Sequence, residues 1–239
     1  MPTQNYEPLP VRPQVTVIQG VLWDMDGTLL DTEPHWMAAE ANLVAEFGGC
    51  WSHEQGLELV GKALPDSAAA LQAAGVQLST REIINRLIDE VAAGVAEHVS
   101  WRPGALELLA ELHAAGVPCG LVTMSEEPLA KLVLDQLPEK YFNFRVTGDM
   151  VAQGKPHPEP YLLGLKMLAD YVPDLEATRV IGLEDSAPGI SSAAASGITA
   201  VLVPHLSEVP SSNAWHRVDS LSSLTLPTLD ALLTVTSRA

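Results

Sequence analysis

Asp24 and Asp26 stand two residues apart at the end of an apolar run, residues 15–23, and Gly27 and Thr28 follow them. In an extended chain, residues two apart share a face. The two carboxylates therefore point together, and Gly27 lets the backbone turn away beneath them. Two acids at the end of a buried strand are costly unless something compensates them. A hard cation suits that role: Mg²⁺ takes one or two carboxylates together with waters and phosphate oxygens. Glu184 and Asp185 repeat the pattern after a second apolar run, residues 179–183. Lys155 is followed by Pro156, Pro158 and Pro160, and a rigidly held lysine neutralises a phosphate as a point charge. Thr123, Met124 and Ser125 follow a third apolar run, residues 117–122. A hydroxyl beside the free N–H groups of a helix start makes an anion site. Each piece alone has a plainer reading: an Asx turn, an N-cap hydroxyl, a solvated lysine, acids favoured by a helix dipole. Together they outline a site for phosphoryl chemistry.

Those residues need elements to hold them. After the first apolar run, residues 33–99 carry no strand pattern. Trp36, Met37, Leu43, Val44 and Phe47 follow a helical spacing that Gly48 and Gly49 end. Ser52 caps a second short helix that Gly61 interrupts, Pro65 opens a third, and Ser79 caps a fourth carrying Ile83, Ile84, Leu87, Ile88, Val91 and Val95. This segment reads as a small helical bundle. From Pro103 the pattern alternates: helix 105–115, strand 117–122, helix 128–137, strand 144–147, a helix from Pro158 to 170, strand 179–183, helix 188–195, strand 198–203 and a closing helix, 221–233. Strands alternating with helices imply an α/β fold, a doubly wound parallel sheet with right-handed crossovers. Its ligands bind beyond the carboxyl ends of the strands, and all the polar residues above are expected there. The expected division is a Rossmann-like core of residues 14–32 and 100–239 with a helical cap, 33–99, inserted after the first strand.

Composition narrows the partners. The chain has 239 residues, is 47% hydrophobic and carries a formal charge of −17. That balance argues against nucleic acid and against an anionic membrane surface. It does not exclude a small anionic substrate, because the mean field is screened beyond about 8 Å. Cys50 and Cys119 are too few for a disulfide framework. No leader and no long apolar span stands out, so the expectation is a cytoplasmic monomer acting on a small metabolite. Pro2, Pro8, Pro10 and Pro13 make the first residues an expected extended lead-in.

Asp24-Met25-Asp26-Gly27-Thr28, Thr123, Lys155-Pro156 and Glu184-Asp185, in this order, resemble the four motifs of the haloacid dehalogenase superfamily, in the branch with a helical cap after the first motif. The resemblance runs from Val15 to the C-terminus and is nearest to the β-phosphoglucomutase and sugar-phosphate phosphatase group. It implies Asp24 as nucleophile and Asp26 as acid/base. It implies Mg²⁺ held by the Asp24 carboxylate, the Asp26 main-chain carbonyl and Asp185, with Glu184 in or beside that shell. Lys155, Thr123, Met124 and Ser125 then hold the phosphoryl oxygens. The implied activity is a Mg²⁺-dependent phosphatase for a small phosphomonoester, a sugar or polyol phosphate. A phosphorylated receiver domain shares the acids, hydroxyl and lysine, but it lacks both the helical insertion and an acid two residues after its phosphorylated Asp.

The alternative within the group is a mutase. Gly61-Lys62 is the expected substrate-reading loop of the cap. In the mutase pattern an arginine follows that glycine by three, where this chain has Leu64, and a histidine stands where this chain has Trp36. His35 comes one residue early, about 100° around a helix. Trp36 is expected to be an apolar wall for substrate or part of the cap core. These departures favour hydrolysis. His157 is expected near the mouth of the site or as a structural loop residue.

Overall fold

The computed structural model describes residues 17–206 and 208–236. The proline-rich lead-in and Val15 lie outside the described residues. The first strand, β1 (Gly20–Trp23), is shorter than the apolar run suggested and fully buried. Its register sets the centre of the sheet. Leu22 lies opposite Gly120 on one side and Gly182 on the other. A Cβ on Gly120 would come 2.3 Å from the Phe144 ring, and one on Gly182 would come 2.6 Å from Ile198 Cδ1. Small residues beside Leu22 therefore let large ones cover it.

Four helices follow β1: α1 (Glu33–Glu46), α2 (His53–Leu57), α3 (Leu64–Ala73) and α4 (Thr80–Glu97). Ser52 and Ser79 each close a reciprocal capping box, with Gln55 and Glu82. The six apolar residues read onto the fourth helix are all buried on α4, which packs against α1 and α3. The chain then alternates: α5 (Ala105–Ala114), β2 (Cys119–Val122), α6 (Glu127–Asp135), β3 (Phe142–Val146), α7 (Glu159–Leu168), β4 (Val180–Glu184), α8 (Ala187–Ala195), β5 (Thr199–Leu202), β6 (His216–Arg217) and α9 (Leu226–Thr236). The described strands form one parallel sheet in the order β3-β2-β1-β4-β5-β6. The order reverses direction at β1, so the switch point lies between β1 and its neighbours β2 and β4.

The two sheet faces bury different sets. Val21, Trp23, Leu121, Leu183 and Val201 pack into one core that continues into the cap helices. Leu22, Val122, Phe144, Tyr161 and Ile190 pack into the other, beneath α7 and α8. The two connections to the helical insertion run side by side: Asp31 N donates to Ser100 O and Arg102 N to Leu29 O, with an antiparallel bridge between Leu30 and Trp101.

Two expectations need correction, and one short strand left no mark in the sequence. β6 has only two residues, too short to leave an alternating pattern. The closing helix is split: a short 3₁₀ turn spans Leu221–Ser223, and α9 begins only at Leu226. Lys155 does not sit at a strand end. It lies in the loop between a 3₁₀ turn, Gly148–Met150, and α7.

Candidate active site

The loops after β1, β2 and β4 converge beneath α1 and the α2–α3 connection. They enclose a cavity of about 60 Å³ lined on the core side by Asp24, Asp26, Met124, Ser125, Lys155 and Ser186. That is room for a handful of waters. Asp24 extends β1 by one residue, its N–H donating to Leu183 O. Gly27 then has a φ of +83°, and a Cβ there would fall 2.2 Å from Asp185 Oδ2. Only glycine meets both demands.

Lys155 is the hub of this floor. It is only 4% exposed, and its Nζ lies 2.6 Å from Asp24 Oδ1, 2.6 Å from Glu184 Oε1 and 2.9 Å from Val122 O. Its loop is fastened from α7, where the Glu159 carboxylate accepts the N–H groups of Ala152 and Gln153. Tyr161, in the first turn of α7, donates its hydroxyl to Glu184 Oε1 at 2.6 Å. Burial opposes the charge on Lys155, but Asp24 and Glu184 outweigh it and hold the ammonium above its ordinary range. Burial, with Glu184 adding, pushes Asp24 up to about 7 against the pull of Lys155. Asp185 is raised well above the usual carboxylate range by burial, then by Asp24 and Glu184.

One lysine does not balance these acids. Asp24, Glu184 and Asp185 present oxygens within 4.8 Å of one another. Glu184 Oε2 and Asp185 Oδ2 are buried without a hydrogen-bond partner among the described residues. Buried carboxylate oxygens in that state demand a positive group. An all-oxygen donor set suits a hard cation such as Mg²⁺. Glu184 Oε1 already serves Lys155 and Tyr161, so Asp24 and Asp185 are the freer ligands.

Asp26 is held differently. Its Oδ1 accepts from Thr32 Oγ1 at 2.6 Å and Trp36 Nε1 at 2.9 Å; its Oδ2 accepts from Ser125 Oγ at 2.8 Å and Thr123 Oγ1 at 3.2 Å. Two donors come from the core loop after β2 and two from the entry to α1. Thr32 stands at the N-cap of α1 but makes no capping bond there, because its hydroxyl faces Asp26. Thr123 is fully buried, lies behind Asp26 and is absent from the cavity wall, whereas Met124 and Ser125 line it. Trp36 lines the cavity with its indole N–H on Asp26, a polar contact that its reading as apolar wall or core did not anticipate.

The cap side of the wall is Glu33, Trp36, Met37, Glu40, Gly56, Leu59, Val60, Gly61, Lys62, Leu64 and Ser67. Gly61 has a φ of +75° and seats against the core, where a Cβ would lie 2.4 Å from Ser186 Oγ. Lys62 is exposed at the rim. His35 turns away and packs on α4 at Gly94, whose Cβ would lie 2.3 Å from His35 Nδ1. His157 is outside the cavity wall, its Nδ1 accepting the Glu159 N–H. Glu33, Glu40, Ser67 and Tyr161 are site residues that sequence reasoning missed. The first two were detectable: with Trp36 and Met37 they form an i, i+3, i+4, i+7 stripe on one face of α1.

Comparison with known proteins decides the family. The profile of the family described as "Haloacid dehalogenase-like hydrolase" matches residues 21–203. The chain belongs to this family. It is similar to the phosphorylated carbohydrates phosphatase of Thermotoga maritima, 31% identical over 186 residues, covering 76% of this chain and 82% of that protein. It is similar to hexitol phosphatase A of Escherichia coli, 28% identical over 224 residues, covering 90% of this chain and 98% of that protein. Among solved structures, CbbY from Rhodobacter sphaeroides in complex with phosphate superposes with a TM-score of 0.80 at 27% identity, covering 89% of this chain and 99% of that one. The parallel sheet and helical insertion of this chain are thus those of haloacid dehalogenase-like hydrolases. No helix among the described residues is long and apolar enough to cross a membrane.

Proposed function

We propose that this hydrolase is a Mg²⁺-dependent phosphatase that cleaves a small sugar or polyol phosphate through a phosphoryl group carried on Asp24. The observation that carries the reading is Asp24 itself: a carboxylate at the cavity floor, 2.6 Å from a buried lysine and grouped with two further buried acids. The names of the Thermotoga and Escherichia relatives support the substrate class.

The chain's residues divide the work. An Asp24 carboxylate oxygen attacks phosphorus as the bond to the leaving oxygen breaks, and the Asp26 carboxyl gives its proton to that oxygen. Water then attacks phosphorus, Asp26 takes its proton, and the bond to Asp24 breaks to release phosphate. Lys155 and the Ser125 hydroxyl stabilise charge spreading over the phosphoryl oxygens. Thr123 acts one step back, positioning Asp26. Asp24, Asp185 and the Asp26 carbonyl would hold Mg²⁺, with Glu184 beside them, and the bound ion supplies the positive charge that lets a dianion approach a carboxylate. For Asp26 to reach a leaving group it must exchange some of its four donors for substrate. The residue roles, the cap of residues 33–99 around them and the single-chain form belong to this proposal.

The test is phosphate release from sugar, polyol and nucleotide monophosphates with Mg²⁺. Steady release from a sugar or polyol phosphate is expected; no release from any ester overturns the reading. One observation favours a mutase instead. A mutase must couple cap closure to its acid/base, and Trp36 joins α1 to Asp26 directly. Against it, Leu64 stands in place of a second phosphate contact. Incubation with β-glucose 1-phosphate, Mg²⁺ and catalytic glucose 1,6-bisphosphate decides between them. Glucose 6-phosphate with little free phosphate would establish the mutase.

A further inference from the structure

The cavity has two ends of opposite character. The floor holds the buried lysine. The roof is α1, which turns the stripe Glu33, Trp36, Met37, Glu40 toward the cavity. Glu33 and Glu40 are seven residues apart, about 10 Å along the helix. They are 5% and 4% exposed. Among the described residues, no hydrogen bond or ion pair is made by the Glu33 side chain, and Glu40 has one, from Trp51 Nε1 at 3.0 Å. Ser67 of α3, also 5% exposed, lines the same wall, and its hydroxyl makes no hydrogen bond among the described residues. Gly56 of α2 keeps ordinary helical backbone, so its lack of a side chain answers a need for space: a Cβ would press on Glu40 Oε2 at 3.3 Å and Met37 Cγ at 3.4 Å.

These groups are not explained by the fold. A helix roof closes as well with apolar residues, and a buried carboxyl without a cation is unfavourable. Burial holds Glu33 at about 8, with Asp26 and Glu40 adding, and holds Glu40 at about 7 against the Trp51 bond. Whether charged or protonated, each offers acceptor oxygens to a hydroxyl. Neither has a cation to share with a second anion: Lys155 is taken by Asp24 and Glu184, and Lys62 lies exposed at the rim. An anion placed against this roof would meet acids only.

Resting on the phosphatase reading above, we propose that Glu33, Glu40 and Ser67 form a subsite for the hydroxyls of an uncharged leaving group. The substrate is then the monophosphate of a polyol or sugar, and a second phosphate or a carboxylate on the leaving group is refused. Glu40, farther from the reacting centre along α1, is the selecting residue.

The experiment compares kcat/KM, with Mg²⁺, for glycerol 1-phosphate, sorbitol 6-phosphate and glucose 6-phosphate against phosphoglycolate and glucose 1,6-bisphosphate. At least one uncharged-tail substrate should exceed both anionic ones by about a hundredfold. Glu40→Ala should raise KM for that substrate about tenfold and change kcat less. Glu40→Gln keeps an acceptor but loses the charge, and it should narrow the ratio to the anionic substrates about tenfold. Ser67→Ala provides a second, isosteric probe should a Glu40 variant fold poorly, with a threefold or larger rise in KM expected. Phosphoglycolate or the bisphosphate cleaved as fast as every polyol and sugar monophosphate would overturn the subsite while leaving the phosphatase intact. So would a ratio unmoved within twofold in all three variants. Absence of release from any ester, p-nitrophenyl phosphate included, would overturn the phosphatase and the subsite with it.

Discussion

Lys155 and Lys62 both line the cavity, and they are held in opposite ways. Lys155 is buried against two carboxylates and a main-chain carbonyl, on a loop tied to α7. Lys62 is exposed beside Gly61 and makes no ion pair among the described residues. The same contrast runs through the whole site. On the core side, Lys155, Asp24, Glu184 and Asp26 are paired across loops, most of which end parallel strands, while Glu184 Oε2 and Asp185 Oδ2 are left for a cation. On the cap side, Glu33 and Ser67 face the cavity with no side-chain hydrogen bond among the described residues, on helices that belong to the insertion and not to the sheet. Preorganised charge suits a phosphoryl group, which every substrate of the class shares. Unpaired groups on a separate roof suit the part of the substrate that varies.

The sharpest way to break the contrast is at its centre. Asp24→Asn keeps the shape of the floor but removes the proposed nucleophile, and turnover should fall by on the order of 10⁴ or more. Phosphate release measured on the best substrate checks this. A variant with more than about a tenth of the parent rate would take Asp24 out of the nucleophile role.

Exchanging the lysines comes next. Lys155→Met leaves Asp24, Glu184 and Asp185 without their cation, and breaking a buried pair costs about 3–5 kcal/mol. Lys62→Met removes an exposed charge and should alter stability by no more than about 0.5 kcal/mol. Denaturant unfolding of both, without added metal, makes the comparison. Equal losses would mean that the two ends are built alike after all.

A cation should act on the floor alone. Mg²⁺ that binds only the folded chain stabilises it by about 2.7 kcal/mol at a hundred times its dissociation constant. The melting temperature should therefore rise with Mg²⁺ in the parent and much less in Asp185→Asn. Chelator should stop phosphate release, and Mg²⁺ should restore it. Ca²⁺ should raise the melting temperature yet support little turnover, since its looser shell relaxes in-line geometry. Full turnover in excess chelator would remove the metal from the mechanism.

The floor was far more legible in the sequence than the roof, for a physical reason. Asp24, Asp26, Glu184 and Asp185 interrupt apolar strands, and polar residues at the end of a buried run stand out against it. Lys155 was found by its prolines, although its distance from any strand was not. Tyr161 escaped notice because its hydroxyl matters only once Glu184, 23 residues on, is folded beside it. On the roof, Glu33 and Glu40 look like ordinary charges on a surface helix. A reading of α1 that followed only apolar residues found Trp36 and Met37 and passed over the acids flanking them at the same spacing. Trp36 itself was read by its ring, and its N–H proved the part that meets Asp26. β6 and the break before α9 are too short for any periodicity to show.

The smallest expected effect tests whether the roof carries its acids at the expense of stability. Burial, with Asp26 and Glu40 adding, holds Glu33 at about 8, far above the value of about 4.5 that it has in water. The unfolded chain gives up this proton near pH 4.5, and the folded chain keeps it until about pH 8. Between those limits the folded state binds more protons, so raising the pH must weaken it. The contribution of Glu33 is therefore complete at pH 4.5 and below, declines as pH rises, and is gone above pH 8. Each unit of displacement corresponds to about 1.4 kcal/mol at most, and a side chain lining a cavity realises only part of that, on the order of 2 kcal/mol in all. Glu33→Gln has no proton to lose and should be free of this slope. Its melting temperature should match the parent near pH 5 and exceed it near pH 8.5 by about 4–8 °C, at about 2–4 °C per kcal/mol for a chain of this size. The same variant should bind polyol phosphates more weakly, which would mark the acid as a stability cost retained for recognition. A difference in melting temperature that stays constant from pH 5 to pH 8.5 would show that Glu33 is not held protonated by the fold, and the roof would then be no more strained than the floor.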